Sequence, residues 1–332
     1  MSAPSPDLFL EAALAYQKTA SIKAAIALDL FTAIAQEEGV LDRVAARVGA
    51  ASRGVRILCD YLTVHGFLEK HDGNYSLTPS TALFLTTTSP AWMGSVIHFL
   101  CSPEFMDLFL DDPVAFVRNG GSPGLANIAP DNPIWVKFAK AMVPFIAPVA
   151  AALAEEAARW PSPPRRVLDI AAGHGIFGIS VAKAVPGAEI TAIDWEAVLQ
   201  IAVENARAAG VDERYRTLPG SAFDTDWGTG FDLILLTNFL HHFDHETCVS
   251  LLRKARGSLR GGGRVVAVDL VPKPDRISPP FPAMFSYMML GTTPRGDAYT
   301  AREYEEMGGA AGFETVTISP APPTPESFIT FM

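Results

Sequence analysis

Val167–Gly178 reads VLDIAAGHGIFG, a short apolar run ending in Asp169, then small residues and glycines, then an apolar stretch able to start a helix. The pattern predicts a buried parallel strand, a tight turn and a helix N-terminus. Glycines let the backbone turn sharply and let a ligand approach it, and the free amides of a helix start favour polar or anionic groups. A nucleotide-type cofactor is therefore the first hypothesis. Gly173–Gly178, GHGIFG, also fits the G-x-G-x-x-G pattern of dinucleotide sites, which is weak evidence alone. An ordinary strand-to-helix turn without a ligand explains the same string.

Glu189–Asp194 (EITAID) is a second short apolar strand ending in an acid, 25 residues after Asp169. At the tip of the next strand, Asp194 is placed to accept hydrogen bonds from a ribose diol. It equally suits the cap of a helix running through Ala208. From Arg165 onward strands near Val167, Ile190, Tyr215, Leu233 and Val265 alternate with helices after the first, second and fourth, which predicts a doubly wound parallel sheet. A helix over Thr300–Ala311, then GFETVTIS, a Pro-rich turn and SFITFM predict a closing hairpin with one antiparallel strand.

With 332 residues, 49% of them apolar, the chain has room for two domains with real cores. The N-terminus MSAPSPDLF lacks a basic region followed by an apolar core, and no apolar run reaches membrane-spanning length, so a soluble, cytoplasmic protein is expected. Cys59, Cys101 and Cys248 are widely separated and show no metal or redox spacing. The net charge of −10 argues against phosphate-backbone binding.

Residues 10–110 read differently. Leu14, Ile22, Ala25, Ile26, Leu28 and Phe31 predict an opening helix apolar on more than one face, which calls for a partner. A short helix over Leu41–Val48 and a second from Ser52, as N-cap, to about His65 follow. Gly66–Lys70 and Asn74–Thr78 then read as strands joined by HDGN. Helix, turn, helix and hairpin make a winged helix. Residues 1–80 hold seven Lys or Arg against nine acids, a balance that suits packing rather than DNA reading. Between the halves, Asp131–Trp160 is expected to be helical, kinked at Pro144. Its Trp135, Phe138, Met142 and Phe145 stripe reads either as core or as a face turned to the cofactor.

The chain as a whole resembles the plant-caffeate-type and bacterial small-molecule O-methyltransferases, which join an N-terminal winged-helix dimerisation domain to a Rossmann-like domain that binds S-adenosylmethionine (SAM). The resemblance is carried in order by SIKAAIALDLF, GFLEKHDGNYSLT, VLDIAAGHG, ITAID, PGSAFD, LLTNFLHHFD, GGGRVVAVDLV and REYEEMGGAAGF. It implies an α/β, seven-stranded methyltransferase domain over residues 161–332, a dimerisation domain over 1–112, and linking helices over 113–160. It also implies a homodimer, SAM as methyl donor and S-adenosylhomocysteine (SAH) as product. Gly173 and Gly175, with the backbone of Ala171, would line the methionine part, and Asp194, followed by Trp195, would hold the ribose. The family usually places an adenine-binding Asp where Ser221 stands, so adenine recognition would shift toward Ala222, Phe223 and backbone groups. Thr237 replaces a common Lys that acts mainly through its backbone, and Met142 falls where the family has a cofactor-touching methionine.

By the same resemblance, His241 aligns with the family's general base. An acceptor hydroxyl must lose its proton as it attacks a sulfonium methyl, and imidazole titrates near neutral pH. His241, His242 and His245 read equally as polar residues around a helix start, with Asp244 as its N-cap. The ring of His242 is expected to point away from that of His241. Two carboxylates usually orient the base; Asp269 occupies one position, and Ala298 stands at the other. Either Asp269 suffices, or the acceptor is acidic enough to need little help, or SAM binds without methyl transfer by this route.

Phe281–Thr293, with Phe285, Met288 and Met289, and the Trp135, Phe138 and Phe145 face are expected to form an apolar pocket for a small aromatic or polyketide-like acceptor, or simply an interdomain core. No acid cluster has metal-ligand spacing, so metal-free catalysis is expected. Three classes remain: an O-methyltransferase; a SAM-binding relative that methylates N or C or runs another reaction; and, disfavoured by charge, a ligand-sensing DNA-binding regulator.

Overall fold

The computed structural model describes residues 4–124 and 133–332, so Asp131, the expected start of the middle helix, lies outside the described residues. The chain divides into two compact units, Met1–Ser102 and Pro103–Met332.

The first unit holds α1 (Asp7–Ala27), α2 (Leu30–Gln36), α3 (Leu41–Arg47), α4 (Ser52–Val64), the hairpin β1 (Leu68–His71) and β2 (Asn74–Leu77), α5 (Pro79–Phe84) and α6 (Ile97–Leu100). The opening helix does not run unbroken through Phe31. Asp29 takes a left-handed conformation at φ 48°, which a short polar side chain tolerates. The chain turns there and drives Leu30, Phe31 and Ile34 into a core with Val44, Val55 and Leu62. Ser52 is not the N-cap of α4 either. Ala51 holds that position, while the Ser52 hydroxyl donates to Asp42 Oδ1 at 2.9 Å and so ties α4 to α3. In the hairpin, Asp72 and Gly73 both have positive φ, as a tight two-residue turn with the natural strand twist demands. Leu8, Phe9, Leu10, Leu14 and Tyr16 are exposed on α1, an apolar surface that this chain alone leaves in water.

The second unit begins with α7 (Pro103–Leu110), α8 (Pro113–Asn119), α9 (Pro133–Ala141) and α10 (Val143–Ala158). Helices α9 and α10 meet at 62° around Met142. Pro144 lies in the first turn of α10, where the missing amide costs nothing, so the expected kink is a new helix start. No described helix is by itself long and apolar enough to cross a membrane.

The rest is β3 (Arg166–Ile170), α11 (Ile176–Ala184), β4 (Glu189–Asp194), α12 (Glu196–Ala208), β5 (Tyr215–Pro219), β6 (Phe231–Thr237), α13 (His245–Ser258), β7 (Leu259–Asp269), α14 (Pro280–Thr292), α15 (Ala301–Ala311), β8 (Val316–Pro320) and β9 (Ser327–Phe331). The strands form one sheet in the order β5-β4-β3-β6-β7-β9-β8. Its first five strands are parallel, and β9 runs antiparallel between β7 and β8. Every residue of β6, FDLILLT, is buried, as a central strand covered on both faces requires. The chain winds outward from β3 through β4 and β5, then resumes at β6 on the other side, so the switch in winding falls between β3 and β6. Open α/β sheets bind ligands beyond the carboxyl ends of the strands at that switch. Because β9 is antiparallel, its start joins the same edge, with Ser327 opposite Asp269.

Helix α15 starts on a reciprocal cap. Thr300 Oγ1 accepts from the Glu303 amide, and Glu303 Oε2 accepts from the Thr300 amide at 2.8 Å. Thr300→Ala is expected to cost about 1 kcal/mol of stability in denaturant unfolding; an unchanged midpoint would show that the cap does not anchor α15.

Candidate active site

The turn after β3 takes left-handed backbone at Ala171 (φ 53°), Gly173 (φ 58°) and Gly175 (φ 75°). A Cβ on Gly175 would lie 2.5 Å from Tyr215 Oη, and one on Gly178 would lie 2.7 Å from Ile190 Cγ2 and 2.9 Å from Asp169 Oδ2. Packing of the helix on the sheet therefore fixes both. Gly173 is different: a Cβ there would meet nothing nearer than 3.9 Å, from Ala171 O and Phe138 Cε1. Open space beside a left-handed glycine is what close approach of a ligand to backbone requires.

Two carboxyls brace this turn. Asp169 is fully buried and accepts from the Gly178 amide at 3.0 Å through Oδ2. Burial pushes it up to about 7. At the tip of β4, Asp194 Oδ2 accepts from the Gly173 amide and Oδ1 from the Trp195 amide, both at 2.7 Å. Trp195, not Asp194, holds the cap position of α12. Each Asp194 oxygen retains a second lone pair, and burial raises this carboxyl to about 6. The aromatic face of α9 reaches the same turn. Phe138 stacks on the His174 ring at 6.3 Å, and burial lowers His174 to about 4, so it stands neutral.

The loop after β5 carries Ser221, Ala222 and Phe223. Ser221 Oγ accepts from the Phe223 amide at 3.1 Å, which leaves its own proton free to donate. Phe223 is exposed and meets the edge of Phe243 at 5.2 Å. From α13, Lys254 Nζ donates to the carbonyls of Ala222 (2.9 Å), Phe223 (2.7 Å) and Thr225 (2.8 Å). All three ammonium protons are thereby used to hold one loop in shape.

Beyond β6, the chain passes Thr237 and Asn238 into a short 3-10 turn, Leu240–His242. His241 is buried, and its Nδ1 lies 2.8 Å from Oδ1 of the fully buried Asp269. Asp269 also accepts from the Leu270 amide at 2.9 Å and, through Oδ2, from the Tyr304 hydroxyl at 2.9 Å. An ionised carboxylate only accepts, so this arrangement places the imidazole proton on Nδ1 and leaves Nε2 with a lone pair. The Phe285 ring stands edge-on to His241 at 4.8 Å. His242 does not turn away from its neighbour: the two rings are 4.4 Å apart, and Trp135 meets the far ring at 6.4 Å. Burial and the neighbouring His241 hold His242 well below the usual histidine range.

The expected site residues thus gather along one sheet edge. Ala171, Gly173, Gly175, Asp194, Trp195 and Phe138 meet at the first turn, and Trp135, Phe285, His241 and Asp269 lie around the second. Met142 is buried at the bend between α9 and α10. Among the described residues, no ring contact or hydrogen bond links Phe145, Met288 or Met289 to His241. Ala298 is fully buried; its amide donates to Asp297 Oδ1 at 2.8 Å and its carbonyl accepts from Arg276 Nη1 at 3.3 Å.

The O-methyltransferase domain family matches residues 110–314, and the O-methyltransferase dimerisation domain matches residues 10–87. The chain belongs to the O-methyltransferase family. The 3-hydroxy-5-methyl-1-naphthoate 3-O-methyltransferase of Streptomyces sahachiroi is 28% identical over 319 residues, 94% of this chain and 90% of that protein. The S-adenosyl-L-methionine-dependent methyl transferase PigF of a Serratia species is 26% identical over 305 residues, 89% of this chain and 86% of its own. A solved structure of PigF with SAH superposes with a TM-score of 0.84 at 25% identity, covering 99% of both chains. A crystal structure of a candidate O-methyltransferase from Nostoc punctiforme superposes at 0.94 with 46% identity, again over 99% of both chains.

Sequence reasoning missed Tyr304, Lys254 and His174. Tyr304 sits in REYEEMGGAA at helical spacing with Met307 and Ala311 and reads as plain core; only the fold shows its hydroxyl on Asp269. Tyr304→Phe would leave Asp269 Oδ2 buried without that donor, and is expected to cost about 1–3 kcal/mol in denaturant unfolding. Unchanged stability would mean that the hydroxyl does not hold Asp269.

Proposed function

We propose that this chain is a homodimeric, cytoplasmic enzyme that methylates a hydroxyl of a small aromatic or polyketide-like acceptor, with SAM as donor and His241 as general base. The observation that carries the reading is the Asp269–His241 hydrogen bond, which leaves a basic Nε2 at the carboxyl edge of the sheet. The relatives that act on 3-hydroxy-5-methyl-1-naphthoate and that bind SAH support it. Residues 1–112 would serve assembly, 113–160 link, and 161–332 carry the chemistry.

The first turn fits the donor. Gly173 leaves open space, Asp194 keeps lone pairs for two ribose hydroxyls, and Ser221, Ala222 and Phe223 lie on the braced loop that would take the adenine; Met142 and the Thr237 backbone would complete that side. SAM supplies an electrophilic methyl on a sulfonium. Asp269 holds the imidazole in the tautomer that can act, and His241 Nε2 takes the acceptor proton as the oxygen attacks. Trp135, Phe138, Phe145, Phe285, Met288 and Met289 would exclude water and hold the acceptor. A buried methyl at Ala298, where the resemblance leads one to look for a second acid, favours one other reading, a SAM-dependent relative acting on N or C.

His241→Ala should lower turnover roughly 10²- to 10⁴-fold while leaving SAH affinity intact, and the loss should shrink for phenols that arrive ionised. Full activity on a weakly acidic alcohol or phenol would remove the base. Asp194→Ala should weaken SAH binding by about 1.5–3 kcal/mol in calorimetry. Because the carboxylate, not the acid, accepts from two hydroxyls, SAH affinity should fall as the pH drops through about 6; a flat profile would take Asp194 out of the site. Light scattering should give twice the chain mass at micromolar concentration, and a single-chain mass would contradict assembly through α1.

A further inference from the structure

The edge that carries His241 holds one more acid that the reaction as described does not use. Glu326 immediately precedes β9, and its neighbour Ser327 pairs with Asp269. The residue is only 3% exposed, and its Oε2 is buried with no hydrogen-bond partner among the described residues. A carboxyl is rarely buried in this way unless a charge or a proton accompanies it. Burial pushes Glu326 up to about 7; Asp269 adds to the rise, while the side chains of Asn238 and Thr324 and the charge of His241 oppose it. The influence is mutual by linkage: whatever His241 does to ionisation of Glu326, ionised Glu326 does to protonation of His241.

We infer that Glu326 is the second acid of the base, a positioning residue just before the antiparallel strand whose carboxylate supports the positive charge His241 gains on taking the acceptor proton. The inference rests on the reading of His241 as that base. It accounts for Ala298, because the second carboxyl enters from β9 instead of from the segment before α15. No covalent step is added: the proton moves from acceptor oxygen to His241 Nε2, and Glu326 acts through the field it places there. The groups facing the pair are Asp269 from β7, with Tyr304 from α15 behind it, His242 beside His241, and the buried Cys248 thiol of α13, which burial and Asp269 raise. Asp269 holds the Nδ1 side of the ring, and Glu326 adds a second negative charge to the same edge when it is ionised. When Glu326 takes a proton, at pH below about 7, that support is withdrawn.

The test is a titration of His241 by nitrogen NMR in the whole protein, with Glu326→Gln beside the native chain. The native imidazole should titrate in two coupled steps, one of them near pH 7, and the variant in one step at lower pH, because a neutral amide no longer favours imidazolium. At pH 8, turnover of Glu326→Gln should fall roughly tenfold on weakly acidic acceptors, with the loss shrinking on acidic phenols and SAH affinity unchanged. Identical single-step titrations in both proteins would overturn the inference. So would an equal loss on every acceptor accompanied by weaker SAH binding, which is the signature of a structural role. If Glu326→Gln does not fold, the native titration alone decides, since one step there contradicts a coupled acid. A fully active His241→Ala enzyme would overturn the base reading instead, and the titration of His241 would still judge Glu326.

Discussion

Asp269 is held by three donors at once, the Leu270 amide, the Tyr304 hydroxyl and His241 Nδ1, and the chemistry of the sheet edge depends on that saturation. Hydrogen bonds to its lone pairs offset the cost of burying a carboxylate. Each donor comes from a different part of the fold: the backbone leaving β7, helix α15, and the turn after β6. The carboxylate thus converts the register of β6 on β7 into the orientation of one imidazole. Helix α15 is itself pinned by the part-buried Thr300–Glu303 cap, which is thereby linked to His241 through Tyr304 and Asp269.

The cofactor side is organised by a complementary constraint. Gly175 and Gly178 are glycines because the sheet leaves no room for a side chain, whereas Gly173 has room and still bends left-handed. That difference separates the structural part of the turn from the part that a ligand can approach. Asp194 bridges the tips of β3 and β4 through the Gly173 amide, so the carboxyl that we propose for the ribose also shapes the turn. Lys254 does the same for the next loop, using carbonyls instead of bases or phosphates.

Much of this was legible in the amino-acid order. Strand-ending acids, glycine spacing and the largely apolar β6 are local patterns, and they pointed to the parallel sheet and to Asp169 and Asp194, whereas His241 and Asp269 were singled out through the family resemblance. What stayed hidden depends on pairing across distance. Glu326 in TPESF looks like a solvated turn until β9 is seen to run antiparallel beside β7. Tyr304 looks like core until its hydroxyl is seen on Asp269. The break at Asp29 was missed because apolar spacing continues across it, and the ring of His242 was misplaced because a 3-10 turn, unlike a strand, does not send neighbours to opposite faces.

Asp269 fixes His241 as the tautomer with its proton on Nδ1 and a lone pair on Nε2. Two-bond nitrogen–proton correlation on histidine-labelled protein near pH 8 reads this directly, before any acceptor or cofactor is added. A protonated Nδ1 and a bare Nε2 are expected for His241, with Asp269→Asn shifting that pattern. A His241 ring protonated on Nε2, or one that populates both tautomers as an exposed histidine does, would contradict it.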